Sequence, residues 1–224
     1  MNMINLVLIT SIICTPDIPL SYTSIRSVFT SNERFEQTKK TIQTVKEKIP
    51  ESKIFIVECS SLNEEQHKYF LENSDYFLNL YNNDNLKKSI YSISKALGEG
   101  TMTISAIEYI KQNNIIFDNF FKITGRYWLS ENFNYNNFIN NDIIVHNIYN
   151  DIHNVCTSLY KLNKLNIDDF YNFLINNKYK MEQCIGYEVL FAMFLNSSNK
   201  NKVIHLNKIG VNGYISVSND FADN

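Results

Sequence analysis

Glycine and proline are scarce in this 224-residue chain, with six and three respectively, and no Ser/Gly-rich or Pro-rich run divides it. One compact domain over residues 1–224 is therefore expected, long enough to bury a sizeable core. Neither sign of charge prevails: 21 Lys and Arg stand against 23 Asp and Glu, a formal net charge of −2. That balance excludes a general binder of nucleic acid or of anionic membranes, and leaves any anionic ligand to a few placed cations. The four cysteines, Cys14, Cys59, Cys156 and Cys184, lie far apart without C-x-x-C spacing and read as reduced core residues. The apolar run near the start is too short for a membrane span and lacks the basic flank of a secretory signal, so a cytoplasmic location is expected.

Several catalytic signatures are missing too. No G-x-G-x-x-G follows the first apolar run, and no P-loop, H-E-x-x-H or G-x-S-x-G occurs. The four histidines are dispersed and read as structural or surface residues.

What is present is an alternation of strand and helix patterns. Leu6 to Ile13 is a continuous apolar run closed by Pro16 and Pro19, which reads as a strand opening into a loop. Thr30 and Glu33 have capping-box spacing at the start of an amphipathic helix that Pro50 stops. Lys53 to Glu58 reads as the second strand, Asn63 to Asn73 as a short helix and Tyr76 to Tyr81 as the third strand. A long helical region, Leu86 to Ile110, is expected to break at Gly98 and Gly100 and restart near Glu99, leaving backbone N–H groups free. The next strand is expected over Phe120 to Leu129. The order β-α-β-α-β-α-β predicts an α/β fold with a mostly parallel sheet and helices on both faces. Beyond it, strands are expected at Asp142–Ile148, Val155–Leu162, Val203–Leu206 and Gly213–Val217, and helices at Ile167–Asn176 and Glu182–Leu195.

In the strand Lys122-Ile-Thr-Gly-Arg-Tyr-Trp-Leu129, two cations and a glycine stand among core residues. A buried unpaired charge is costly, so Lys122 and Arg126 must reach water, a carboxylate or an anionic ligand, and Gly125 suggests a close approach. Open α/β sheets bind ligands beyond the carboxyl ends of their parallel strands. The polar residues there are Thr10 and Ser11, Glu58 and Ser60, and Thr124 to Arg126, to which Arg26, Arg34, Lys95 and Glu99 are added. A carboxylate such as Glu58 suits ribose or base N–H groups, and the cations suit phosphates.

Glu33-Arg-Phe-Glu-Gln-Thr38, Ile-Val-Glu-Cys-Ser60, Leu97-Gly-Glu-Gly100 and Phe121-Lys-Ile-Thr-Gly-Arg-Tyr127, in this order of elements, resemble nucleotide-sugar glycosyltransferases of the GT-A fold. The likeness is greatest to the small ones of bacterial surface-polysaccharide clusters and large DNA viruses. The resemblance implies a nucleotide-sugar donor held by residues 1–130, a glycan or small hydroxyl acceptor held by residues 131–224, and no nucleic-acid partner. It places the first loop and Glu58 at the nucleoside and Lys95, Gly98 and Glu99 near the donor. Glu188, or else Glu182, matches the catalytic base.

One departure matters. Such enzymes usually carry an Asp-x-Asp pair that holds a divalent metal against the diphosphate. Thr124-Gly-Arg126 stands at that place here, and the chain contains no Asp-x-Asp. The expectation is a metal-independent enzyme without a cofactor, in which Arg126, with Lys122 or Lys95, replaces the ion. The alternative is a non-catalytic nucleotide- or glycan-binding subunit.

Overall fold

The computed structural model describes residues 3–140, 142–147, 153–197 and 202–224. Its first strand, β1 (Asn5–Ser11), is buried along its whole length. A loop leads to α1 (Ser31–Lys48), where the capping box forms: the Thr30 side chain accepts from the Glu33 N–H while Glu33 reaches back to Thr30. β2 (Ser52–Glu58), α2 (Glu64–Asn73) and β3 (Tyr76–Asn79) follow, then α3 (Asp84–Ile90), α4 (Lys95–Gln112) and β4 (Asn119–Thr124). After the short β5 (Tyr127–Leu129) come β6 (Ile143–Asn147), β7 (Val155–Asn163), α5 (Ile167–Asn176), α6 (Lys178–Glu182), α7 (Tyr187–Ser197), β8 (Val203–His205), β9 (Val211–Tyr214) and β10 (Phe221–Asp223).

Seven of these strands form one sheet in the order β3-β2-β1-β4-β7-β6-β8. The pairs from β3 through β4 are parallel, and β7 runs antiparallel to both of its neighbours. The architecture is the expected α/β one, a mostly parallel sheet with helices on both faces. Leu6, Leu8, Phe55 and Val57 pack with α4, α5 and α7 on one face. Val7, Ile9, Ile54 and Ile56 meet Phe35, Ile42 and Val45 of α1 and Phe70 of α2 on the other. Successive residues of a strand point to opposite faces, so a continuous apolar run signals burial from both sides.

Several expectations are corrected. The strand over Phe120 to Leu129 is two strands, because the backbone leaves the sheet at Gly125. A row of α1 hydroxyls takes hold of it there: Thr38 Oγ1 donates to Gly125 O at 2.9 Å, Thr41 Oγ1 donates to Tyr127 O at 2.6 Å, and Thr44 Oγ1 accepts from Leu129 N–H at 3.1 Å. A Cβ on Gly125 would stand 3.1 Å from both Ser11 Cβ and Thr38 Oγ1, tighter than ordinary packing. β5 then joins β9 and β10 in a separate three-stranded sheet.

The long helix breaks earlier than its glycines suggested, between Ile90 and Lys95. Ser94 caps α4, accepting from the Leu97 N–H on its side chain and from the Gly98 N–H on its carbonyl. The Gly98 N–H is therefore occupied. Gly98 and Gly100 lie inside α4, where they permit contact: a Cβ at Gly98 would come within 2.8 Å of Ile90 O, and one at Gly100 would collide with the Met181 thioether.

The helix expected over Glu182–Leu195 is α6 and α7 separated by a turn, and the strand expected over Gly213–Val217 ends at Tyr214. Ile148, at the end of another expected strand, lies outside the described residues. All four cysteines are free thiols, but only Cys59 and Cys156 are buried; Cys14 and Cys184 are partly exposed. No helix among the described residues is long and apolar enough to cross a membrane.

Candidate functional site

A cleft of about 150 Å³ opens beyond the carboxyl ends of β1 and β4. Its floor is Thr10, Ser11 and Ile12 from the end of β1 and Thr124 from β4. One wall is the first two turns of α4, with Lys95, Gly98, Glu99 and Met102. Arg34 enters from α1, and Arg126 from the turn after β4. The roof is Thr15, Leu20, Tyr22 and Arg26 of the β1–α1 loop, together with Ile215, Ser216 and Val217 after β9.

Nine of the residues singled out in the sequence thus meet in one place: Thr10, Ser11, Arg26, Arg34, Lys95, Gly98, Glu99, Thr124 and Arg126. Four of them are cations. Arg26 serves mainly as a clasp, its guanidinium donating to the carbonyls of Ile18, Ile90, Tyr91 and Ser92 at 2.9–3.3 Å and so pinning the loop to the end of α3. Arg34 is buried, with Nε on Ile12 O at 2.6 Å and Nη1 on the Ser27 and Ser216 hydroxyls. Burial, and after it the nearby Arg126 guanidinium, push Arg34 down to about 9. Arg126 spends only Nη1, on Tyr214 O at 2.9 Å. Its other donors take no acceptor among the described residues, and a guanidinium carries five.

The other candidates lie outside the lining, Glu182 among them at the end of α6. Glu58, expected at the nucleoside, is wholly buried, and its Oε1 accepts from the N–H groups of Ile13 and Cys59 and from Ser60 Oγ. It staples the start of the β1–α1 loop to the end of β2, and burial raises its pKa. Gly125 lies under the cleft, pressed between Ser11 and Thr38. Lys122 is fully buried in an ion pair with Glu99. Glu188, at the start of α7, pairs with Lys95, Nζ to Oε1 3.5 Å. Burial alone would raise the Glu188 carboxyl, but Lys95, the Glu188 backbone N–H and Lys122 together outweigh it and hold the group below its usual range. Lys95 in turn is held above its ordinary value, chiefly by Glu188.

Sequence reading missed the part of the roof that follows β9. Tyr214, Ile215 and Ser216 lie about ninety positions from Arg126, and nothing in their local pattern marks them. Yet the Val28 N–H donates to Ser216 O at 2.8 Å and Ser216 Oγ donates to Arg26 O at 3.2 Å, so this segment closes the cleft against the first loop. The cleft therefore draws on both sides of residue 130.

The architecture is similar to that of a nucleotide-diphospho-sugar transferase from Desulfovibrio desulfuricans G20, with a TM-score of 0.52 over 90% of this chain and 79% of that one at 9% identity. The chain has a GT-A-like fold. The GT-A-like likeness extends to the glycosyltransferase GlyE of Streptococcus pneumoniae TIGR4, with a TM-score of 0.51, 11% identity and 92% of this chain covered. This chain spans 45% of GlyE. A glycosyltransferase involved in glycosylating the major capsid of PBCV-1 aligns at 10% identity over 91% of this chain and 82% of that one, with a TM-score of 0.49. Identities this low reflect a shared fold. No family model and no curated protein matches the sequence.

GT-A folds commonly hold a divalent cation at the end of the strand that is β4 here, and the residues present do not fit one. The position is Thr124-Gly-Arg126, whose guanidinium repels a cation. Among the described residues the only carboxylate lining the cleft is Glu99, already paired with Lys122. Among the described residues no three His, Cys, Asp or Glu side chains gather as a ligand set.

Proposed function

We propose that this chain is a glycosyltransferase that moves a sugar from a nucleotide-diphosphate donor to a hydroxyl of a glycan or small acceptor, using fixed cations where related folds use a metal. The observation that carries the reading is the convergence of Lys95, Arg126 and Arg34 on one cleft at the carboxyl ends of β1 and β4, without a carboxylate set. A nucleoside diphosphate is the chemistry that rewards such a grouping, since guanidinium groups bind its oxygens in pairs.

In this mechanism the acceptor oxygen attacks the anomeric carbon, and the bond from that carbon to the diphosphate breaks with its electron pair leaving on the phosphate. Arg126 stabilises the charge that develops there. The acceptor proton passes to Glu188. Lys95 links the two ends: as it turns from Glu188 toward the donor phosphate, it releases the carboxylate and restores its affinity for a proton.

Incubation with UDP-, GDP-, CMP- and dTDP-sugars, with and without EDTA, tests this directly. Transfer or slow hydrolysis of one donor, unaffected by EDTA, is the expected result. Inertness toward all donors would overturn the enzymatic reading, and full loss with EDTA the metal-independent part. Arg126→Ala should weaken the matching nucleoside diphosphate by about 1.5 to 3 kcal/mol and leave the free nucleoside nearly unchanged. Equal affinities of wild type and variant for the diphosphate would remove Arg126 from the site.

A further inference from the structure

The carboxylate in the cleft wall is held from behind by a lysine that cannot itself reach a ligand. An ammonium has three donors, and each donor of Lys122 has an acceptor within the protein: the Glu99 carboxylate through Oε1, Thr124 Oγ1 at 2.9 Å and Thr157 O at 3.0 Å. The Lys122 side chain has no exposed surface. Two of its three acceptors, Glu99 and Thr124, belong to the cleft lining. Whatever Lys122 contributes to the cleft passes through them.

Glu99 is differently placed. Its Oε1 is taken by Lys122, while Oε2 accepts no hydrogen bond among the described residues. The side chain keeps 12% of its surface exposed. A buried ion pair is a poor device for stability alone, because two apolar side chains of similar volume do as well or better. What the pair supplies, and apolar residues cannot, is an ionised carboxylate of fixed orientation with one oxygen left over. Lys95 and Arg126 beside it are pure donors and suit phosphate oxygens. Glu99 is a pure acceptor, so it repels phosphate and suits a hydroxyl.

We propose that Glu99 recognises the donor sugar by accepting a hydrogen bond from one of its hydroxyls on Oε2, and that Lys122 is the positioning residue that holds it there. The assignment rests on the nucleotide-sugar reading above and narrows it. The transferred group is a sugar with a free hydroxyl close to its diphosphate, and sugars deoxygenated or substituted at that hydroxyl are rejected because Glu99 would be left unpaired.

The test compares each nucleoside diphosphate with its sugar conjugate, UDP with UDP-glucose, GDP with GDP-mannose and dTDP with dTDP-glucose, by calorimetry on the full chain. For the pair that the wild type binds, Glu99→Gln and the double variant Lys122→Met/Glu99→Leu should keep the affinity for the bare diphosphate within about twofold and lose roughly tenfold for the sugar conjugate, as expected for one charge-assisted hydrogen bond. The double variant should keep its melting temperature within a few degrees. A merely structural pair would weaken both ligands alike or neither, and either result overturns the assignment. A wild type that binds a diphosphate and its conjugates equally overturns this assignment alone, whereas one that binds no nucleotide overturns the donor reading and this assignment with it.

Discussion

Two lysines stand on adjacent strands, both without exposed surface, and the protein treats their charges in opposite ways. Lys122 of β4 lies opposite Tyr160, and Lys161 of β7 lies opposite Phe121, so they project from opposite faces of the sheet. Lys122 has a carboxylate partner. Lys161 has only carbonyl dipoles, donating to Asn140 O and, at 2.9 Å, to Asp142 O. Burial pushes Lys161 down to about 8, against the weaker pull of Asp142. The lesson concerns where a cation is worth keeping whole. Behind the cleft the charge is conserved and spent on orienting a carboxylate, whereas on the opposite face of the sheet it fastens a loop and is held at a disadvantage.

The comparison breaks most visibly on removing each ammonium. Lys122→Met leaves the Glu99 carboxylate without its counter-ion and should cost about 3 kcal/mol in urea unfolding. Lys161→Met leaves two carbonyls unpaired but no charge, and should cost about 1 kcal/mol at pH 7. Equal losses would mean that the two environments differ less than their partners suggest.

Titration sharpens the contrast further. The folded-state value of Lys161, about 8, lies below the roughly 10.4 of an unfolded lysine, so between those limits the unfolded chain holds more protons and stability rises with pH. Wild type should therefore gain stability relative to Lys161→Met between pH 7 and pH 10, with the full penalty present below pH 8. A flat difference would show that Lys161 is not held at a disadvantage. The smallest effect is expected for function: Lys161→Met should leave nucleotide-sugar affinity unchanged, since Lys161 touches nothing in the cleft.

Much of the fold of the first 130 residues was legible because its determinants are local. The apolar run of β1, the Thr30/Glu33 capping box and the stop at Pro50 each depend on residues a few positions apart. The charge argument on Lys122 and Arg126 also led to the neighbourhood of the cleft, since a cation in an apolar strand must be answered by something. What answered was not legible. Lys122 met Glu99 from a different element, Arg126 met a carbonyl 88 positions away, and Glu58 turned inward to backbone N–H groups. The break at Gly125 was hidden for the same reason, because it depends on hydroxyls of α1 that become neighbours only after folding. At Gly98 and Gly100 the rule that glycine interrupts helices misled, since both serve close packing within α4.

The segment Tyr214 to Val217 closes the cleft by holding Arg126, Arg34 and Val28, each far away in sequence. It is also made late. During synthesis the parallel core of β1, β2, β3 and β4 is complete in sequence some ninety residues before this segment exists, and domains begin to fold as their chains emerge. The sheet can thus assemble while the cleft still lacks its roof and while Arg126 and Arg34 lack their partners from that segment. Order of assembly and order of function are thereby separated: the framework matures first, and the place where chemistry would occur is finished only after it.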